Sequence, residues 1–179
     1  HECETALAAG VHLILDPTLH LLLTRTRTFS SSGRCLTFDA RADGMVSSEG
    51  CGVLVLRRLD DALAQGDPIL AVIRGSAVNH DGPSSGLTAP NGAAQRAVVR
   101  RALADAGLEL DEVDVLEAHG VGTALGDPIE LRAIEGLLGR PGRRPGRLAV
   151  GSAKTNIGHT GPVAGVAGVI KVIESLRRE

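Results

Sequence analysis

Two of the six histidines stand at positions where an imidazole can do chemistry. His119 ends an apolar segment in EAHGVGT, and His159 follows another in KTNIGHT. A neutral imidazole there can donate a hydrogen bond to a developing oxyanion or transfer a proton near pH 7. Lys154, one of two lysines, lies five residues before His159 and is placed to shift histidine pKa values or to anchor the site.

The elements that must position these histidines alternate in the second half of the chain. Apolar periodicity and start and stop signals predict helices over 93–106, 127–139 and 162–178 and strands over 113–119 and 148–154. This alternation predicts an α/β layered fold. Because sites in α/β sheets gather at the carboxyl ends of strands, two strands of one sheet would direct both imidazoles into one crevice.

Local signals define these and the remaining elements. Asp127 is the expected cap of its helix, with Pro128 at the first position and Glu130 reaching back. The last helix is apolar all round at its start and is expected to be buried. In the first half the sequence predicts strands over 4–15, 52–59 and 68–79, short helices over 18–25 and 60–66, and loops over 28–52 and 80–92.

Composition limits the class of protein. The chain has 179 residues, 43% of them hydrophobic and 22% charged, which is typical of a globular domain. With 19 basic and 21 acidic residues the net charge is −2, so the basic excess of a nucleic-acid binder is missing. No apolar run is long enough to span a membrane, and we expect no signal peptide.

Three cysteines give a further expectation. Cys3, Cys35 and Cys51 are odd in number and widely spaced, which favours reduced thiols in a cytoplasmic protein over a disulfide framework. The sequence starts at His1 and its single methionine is Met45, so we expect a segment of a longer polypeptide.

The remaining motifs do not indicate a nucleotide, phosphate or metal site. GVGTALG (120–126) misses the glycine spacing of a dinucleotide loop, GSAKT (151–155) misses that of a phosphate loop, and metal-ligand spacings are missing. His12, His20 and His80 are interpreted as core or loop histidines, and Glu117 as a structural acid. The residues alone leave the same structural interpretation open for His119 and His159.

Two segments carry a resemblance to a known family. EAHGVGTALGDPIE (117–130) and GSAKTNIGHTGPVAGVAGVIK (151–171) closely resemble the two histidine motifs of β-ketoacyl synthases. GRCLTFDARADGMVSSEGCGVLVLRRL (33–59) and IRGSAVNHDGPSSGLTAPNGAAQ (73–95) also resemble that family, and most closely the ketosynthase domain of modular type I polyketide synthases. The resemblance covers nearly the whole chain but well under half of a complete ketosynthase domain.

The resemblance implies a thiolase-like α/β fold of two related halves, present here in part. Residues 1–66 would end the first half and residues 67–179 would form most of the second. The implied reaction is the decarboxylative Claisen condensation of an acyl thioester with a malonyl-type extender. The extender is held by phosphopantetheine on an acyl carrier protein. His119 and His159 would then stabilise the enolate, Lys154 would support them, and Thr123 would contact the pantetheine arm.

The resemblance also implies what the chain lacks. The family's nucleophilic cysteine would lie before His1, and Cys3, Cys35 and Cys51 match non-catalytic positions. The isolated chain is therefore expected to be inactive, and its partners to be the carrier protein, the thioesters, the rest of the domain and, when complete, a second copy. No directly bound cofactor, nucleic acid or membrane is expected.

Two departures from the family pattern keep alternatives open. Val121 replaces the usual threonine after the first histidine, and Gly161 replaces the glutamate that would pair with the lysine. A non-catalytic scaffold piece, or a partner resembling a chain-length factor, would also lose active-site groups. The retention of both histidines weighs against these two hypotheses.

Overall fold

The structure is a computed structural model that describes residues 3–84, 86, 89–138 and 148–178. Its first sheet consists of two antiparallel strands, β1 (Thr5–His12) and β2 (Gly50–Arg57), in which His12 pairs with Gly50. Burial alternates strictly along both strands, as a pleated sheet with two unlike faces requires. One face packs on the rest of the chain, and the other is exposed.

The second sheet brings together the two strands that precede the histidines. β3 (Val115–Glu117) and β4 (Ala149–Gly151) pair in parallel, with Glu117 opposite Gly151. Both strands are shorter than predicted. The sequence-based expectation that they share one sheet is confirmed.

The described residues contain six α-helices. They are α1 (Thr18–Arg25), α2 (Leu59–Gln65), α3 (Gly92–Ala106), α4 (Gly126–Leu138), α5 (Lys154–Ile157) and α6 (Ala164–Leu176), and 3-10 turns cover Leu110–Glu112 and Gly161–Val163. Helices α3 and α4 pack against each other, and α6 lies against β1, β2 and β3. The predicted helix positions are thus confirmed to within a few residues. Residues 139–147, which include the predicted end of α4 at Gly139, lie outside the described residues.

The apolar residues of β1 and β2 do not all enter a core. On the exposed face Leu7 is 70% and Val55 is 71% exposed, while the buried apolar residues are mostly small, such as Ala62, Ala118 and Ala133. In α6, Val169 and Ile170 are exposed although the sequence predicted a helix buried on every side. The chain therefore presents apolar surface that it does not cover itself.

The predicted strand over 68–79 is wrong as an element. These residues have no regular secondary structure, because no neighbouring strand in the described part of the chain offers them a ladder of hydrogen bonds. Instead the segment lies along α3, where Ser76 N donates to Asp105 and Asn79 Nδ2 donates to the carbonyl of Ala94.

Among the described helices, none is long and apolar enough to cross a membrane.

Candidate active site

His119 and His159 lie side by side, beyond the carboxyl ends of β3 and β4. Their ring centroids are 5.7 Å apart and the rings are nearly perpendicular, at 86°. His119 follows β3 by two residues, whereas His159 is reached from β4 through the short helix α5. The parallel pairing of the two strands therefore brings residues far apart in sequence to one place.

The His159 backbone is held by residues 46–48. His159 N donates to the carbonyl of Val46 at 2.6 Å, and Ser48 N donates to the carbonyl of His159 at 3.1 Å. The predicted 28–52 loop thus supports the site through its last part.

The tautomer of His159 follows from its hydrogen bond. Gly161 N lies 3.1 Å from His159 Nδ1, and a backbone N–H can only donate, so Nδ1 accepts and the proton of the neutral ring is on Nε2. Burial, with smaller contributions from the positive charge of Lys154 and from His119 and His12, lowers the pKa of His159 to about 4. At neutral pH the ring is an uncharged hydrogen-bond donor through Nε2.

His119 is anchored by a carboxylate. The two oxygens of Glu130 accept hydrogen bonds from His119 N at 2.7 Å and from Gly120 N at 2.8 Å. The pKa of His119 is lowered, first by loss of water around its ring and second by the charge of Lys154, and the carboxylates of Glu130 and Asp127 oppose this. His119 is an exposed residue, and the net effect of its surroundings still favours the neutral ring.

Lys154 is buried beside both histidines, with 7% of its surface exposed. Burial lowers its pKa, and the carboxylates of Glu117 and Glu130 partly offset this. In the described ranges Lys154 forms no ion pair, because Glu117 is taken by the second lysine: Lys171 Nζ lies 2.6 Å from Glu117 Oε2. Glu117 also accepts a hydrogen bond from Ala153 N at 2.5 Å, so both of its oxygens are used in structural contacts.

The predicted role of Asp127 as a helix cap is wrong. Helix α4 begins one residue earlier, and Thr123 Oγ1 accepts a hydrogen bond from Gly126 N at 3.1 Å. Asp127 is 3% exposed and accepts hydrogen bonds from three backbone N–H groups, those of Phe38, Gly122 and Thr123. The carboxylate thus ties the 35–45 loop to the glycine-rich turn after His119.

The predicted reach of Glu130 to the start of its own helix is likewise wrong, since its carboxylate binds the backbone of His119 and Gly120.

Thr123 uses only part of its hydrogen-bonding capacity. Its oxygen accepts from Gly126 N, while no described residue accepts its hydroxyl proton. The hydroxyl proton of this half-buried residue is therefore not used within the described residues.

Sequence reasoning missed two neighbours of the site. His12 lies close to His159 and Gly161, and Cys35 Sγ donates to the carbonyl of Val121 at 3.2 Å. No spacing signal could have found them, because both come from the distant first half of the chain. All three cysteines are free thiols, and burial raises the pKa of Cys35, which makes it a poor nucleophile. The described residues contain no cluster that could hold a metal ion.

Comparison with known proteins identifies the family. Residues 70–179 match the model of the family described as "Beta-ketoacyl synthase, C-terminal domain", and residues 1–62 match that of the corresponding N-terminal domain. Relatives include a mycoketide-CoA synthase of Mycobacterium tuberculosis, 54% identical over 99% of this chain and 4% of the relative. Another is the pikromycin polyketide synthase component PikAII of Streptomyces venezuelae, 53% identical over 98% of this chain and 5% of the relative.

Solved structures show the same fold. The ketosynthase from module 6 of the bacillaene synthase of Bacillus subtilis 168 superposes with a TM-score of 0.94 at 40% identity, over 98% of this chain and 32% of that chain. An oxazolomycin ketosynthase domain of Streptomyces albus gives a TM-score of 0.93 at 40% identity, over 98% and 31%. The chain spans about a third of these solved domains and a small part of the curated relatives. Its elements are part of the thiolase-like α/β fold, and the chain belongs to the β-ketoacyl synthase family as part of a polyketide synthase ketosynthase domain.

Proposed function

We propose that this chain supplies the two-histidine side of a ketosynthase that catalyses decarboxylative condensation. The substrates are an acyl thioester and a malonyl-type extender carried on phosphopantetheine. The observation that carries the proposal is the pair of uncharged imidazoles with ring centroids 5.7 Å apart, one of which has its proton fixed on Nε2. Two such donors suit one thioester oxygen on which negative charge develops.

The chemistry assigned to each residue follows from this arrangement. When the extender loses CO₂, the electrons of the broken C–C bond form an enolate, whose oxygen His119 and His159 stabilise by hydrogen bonds. The enolate carbon then attacks the acyl thioester carbonyl, and the thiolate leaves. Lys154 contributes through its charge, which lowers the pKa of both imidazoles and so keeps them in the neutral donor form.

The nucleophile that holds the acyl group is assigned to a cysteine outside the residues of this chain. Cys35 is buried, and its pKa is raised. Cys51 is exposed on the outward face of β2. Cys3 is exposed near the start of the chain, whereas a covalent acyl intermediate needs a thiolate that its surroundings hold in position. The isolated chain is accordingly proposed to be inactive.

The proposed partners follow from the family. A carrier protein would deliver the extender, Thr123 would donate its free hydroxyl proton to the pantetheine arm, and the complete domain would pair with a second copy. Residues 1–66 and 67–179 are proposed as parts of the two halves of the fold, which the separate family matches over 1–62 and 70–179 support.

The test measures decarboxylation in the full-length protein that contains this chain. We expect His119→Ala and His159→Ala each to lower kcat for malonyl-thioester decarboxylation by about 100-fold or more, as loss of an oxyanion donor does. His20→Ala is the matched control, because His20 lies in α1 and its ring packs against Phe29. Variants with the activity of the unsubstituted protein would exclude the proposed roles.

A second measurement tests the assignment of the nucleophile. The full-length protein is incubated with a labelled acyl thioester, and the labelled peptide is identified by mass spectrometry. We expect no label on Cys3, Cys35 or Cys51, and unchanged labelling after Cys35→Ser or Cys51→Ser. Label on Cys35 or Cys51 that the corresponding serine variant abolishes would show that the assignment is wrong.

A non-catalytic role is the second candidate, because Val121 and Gly161 depart from the family pattern. A scaffold piece, or a partner of the chain-length-factor type, would bind an active ketosynthase without condensing substrates. Absence of decarboxylation in the unsubstituted full-length protein, with a folded domain, would favour this candidate.

A further inference from the structure

A third histidine lies behind the site. His12 ends β1 on its inward face, and its Nδ1 is 2.9 Å from the carbonyl oxygen of Ser48. Because a carbonyl oxygen can only accept, Nδ1 of His12 carries a proton and donates it. This hydrogen bond fixes the orientation of the ring, so His12 makes a specific polar contact in addition to filling space.

Ser48 connects this ring to His159. Its N–H donates to the carbonyl of His159 at 3.1 Å, while its own carbonyl accepts from His12 at 2.9 Å. Ser47 forms a parallel bridge with His159 in the same segment. The peptide groups that hold the His159 backbone are thus themselves held by His12.

Gly161 provides a second connection. Its N–H donates to His159 Nδ1, and its backbone has a φ of +56°. A Cβ built at Gly161 would lie 3.1 Å from Nδ1 and 3.2 Å from Cε1 and Cγ of His12, so the ring packs directly against this residue. His12 therefore contacts both the group that donates to the His159 ring and the segment that holds its backbone.

We propose that His12 is a positioning residue, which holds His159 in place with its proton on Nε2 by fixing Ser48 and Gly161. The inference rests on the proposed function of His159. Partners that orient a reacting imidazole affect the rate strongly, because a displacement of about 1 Å can lower the rate about 100-fold. If His12 only filled space, an apolar side chain of similar size would serve equally well.

The first measurement is decarboxylation of a malonyl thioester by the full-length protein. In His12→Leu, which fills space without a donor, we expect kcat to fall about 10- to 100-fold with KM changed less than about threefold. In His12→Asn, whose amide can donate to Ser48, we expect kcat within about fivefold of the unsubstituted protein. His20→Leu removes a histidine elsewhere and is expected to have no effect.

The second measurement reads the tautomer of His159 directly. Long-range ¹⁵N–¹H spectra of histidine-labelled protein, assigned with His159→Ala, distinguish a proton on Nε2 from one on Nδ1. We expect one Nε2–H form in the unsubstituted protein and in His12→Asn, and a mixture in His12→Leu. An unchanged His159 signal in His12→Leu, with or without a fall in kcat, would overturn the inference about His12.

These two measurements separate the inference from the function beneath it. Full activity of His159→Ala would overturn the proposed function, while the spectra would still decide whether His12 sets the tautomer. Should His12→Leu fail to fold, His12→Asn and His12→Gln take its place. Gln moves the donor by one methylene, and equal His159 signals in these two variants and the unsubstituted protein would overturn the inference.

Discussion

At the scale of single residues, the site depends on groups that hold charge and protons in fixed places. Lys154 makes no ion pair within the described residues, and its charge acts on both imidazoles. Glu117, which would otherwise attract that charge, is bound to Lys171. Lys171 pairs with Glu117, while the charge of Lys154 lowers the pKa of both histidines. This arrangement favours two uncharged imidazoles at neutral pH.

The lowered pKa of His159 predicts a pH dependence of stability. Its ordinary pKa is 6.5 in the unfolded chain and about 4 in the folded one. Below pH 6.5 the unfolded chain takes up a proton that the folded chain resists, so stability is complete above pH 6.5 and decreases toward pH 4. Thermal unfolding of the full-length protein between pH 4 and 7 should show a shallower slope in His159→Gln. An unchanged slope would contradict the lowered pKa, and His20→Gln is the control.

Thr123 predicts an effect on stability that is separate from ligand binding. Thr123→Val removes the acceptor of Gly126 N and should destabilise the protein by about 0.5–2 kcal/mol, as the loss of a helix cap does. Thr123→Ser keeps the hydroxyl and should unfold at nearly the original temperature. Equal unfolding temperatures for the Val and Ser variants would show that the hydroxyl does not stabilise the start of α4.

At the scale of elements, Asp127 connects parts that share no secondary structure. Asp127→Ala would leave three backbone N–H groups without their acceptor, at a cost of about 1–3 kcal/mol for each one that stays buried. We expect a large fall in unfolding temperature and a loss of activity together. Asp111→Ala, at an exposed position in a 3-10 turn, is the matched control. A stable Asp127→Ala variant would mean that water replaces the carboxylate.

The segment 68–79 meets α3 at a glycine. A Cβ at Gly75 would lie 2.5 Å from Ala106 N and 2.6 Å from the carbonyl oxygen of Ala102, and these backbone atoms cannot move without shifting the helix. Gly75→Ala should therefore destabilise the protein by several kcal/mol, as overpacking does at its upper range. Gly86→Ala, at an open position, should be nearly neutral. Circular dichroism during thermal unfolding compares the two, and similar midpoints would contradict this packing.

The elements that the sequence predicted well are those with strong local signals. Helix α6 follows from a continuous apolar run, and β3 and β4 follow from short apolar segments before each histidine. The segment 68–79 has the same β-branched composition, but composition does not tell whether a pairing strand is available. The prediction that Asp127 caps its helix was wrong for a related reason. Its sequence position suits a cap, but its hydrogen-bond partners include Phe38 and Gly122, which only the tertiary fold brings near.

At the scale of the whole molecule, the β1–β2 sheet has two apolar faces and covers only one. Leu7, Val11, Val53 and Val55 point outward, each more than half exposed. Both the relatives and the solved ketosynthases extend well beyond the span of this chain. The uncovered face is consistent with a layer that lies inside the complete fold.

The 179-residue chain expressed alone should therefore be poorly stable and associate. Each Å² of apolar surface left uncovered forfeits roughly 25 cal/mol. Summed over the whole uncovered face, this loss is a large share of a net stability of about 5–15 kcal/mol. Size-exclusion chromatography and urea unfolding test this, with Val55→Lys as a variant expected to associate less. A sharp monomer peak with one cooperative transition for the unsubstituted chain would show that it is self-sufficient.

The hydrogen bond from Phe38 to Asp127 also bears on how the polypeptide is made. The two residues are 89 positions apart, so the ribosome adds 89 residues after Phe38 before its carboxylate partner exists. At about 5–20 residues per second this takes roughly 4–18 s. During that interval the 35–45 loop lacks its anchor, and the Cys35 thiol lacks its acceptor at Val121. The nascent chain thus passes several seconds without the contacts that bury the Cys35 thiol in the finished fold.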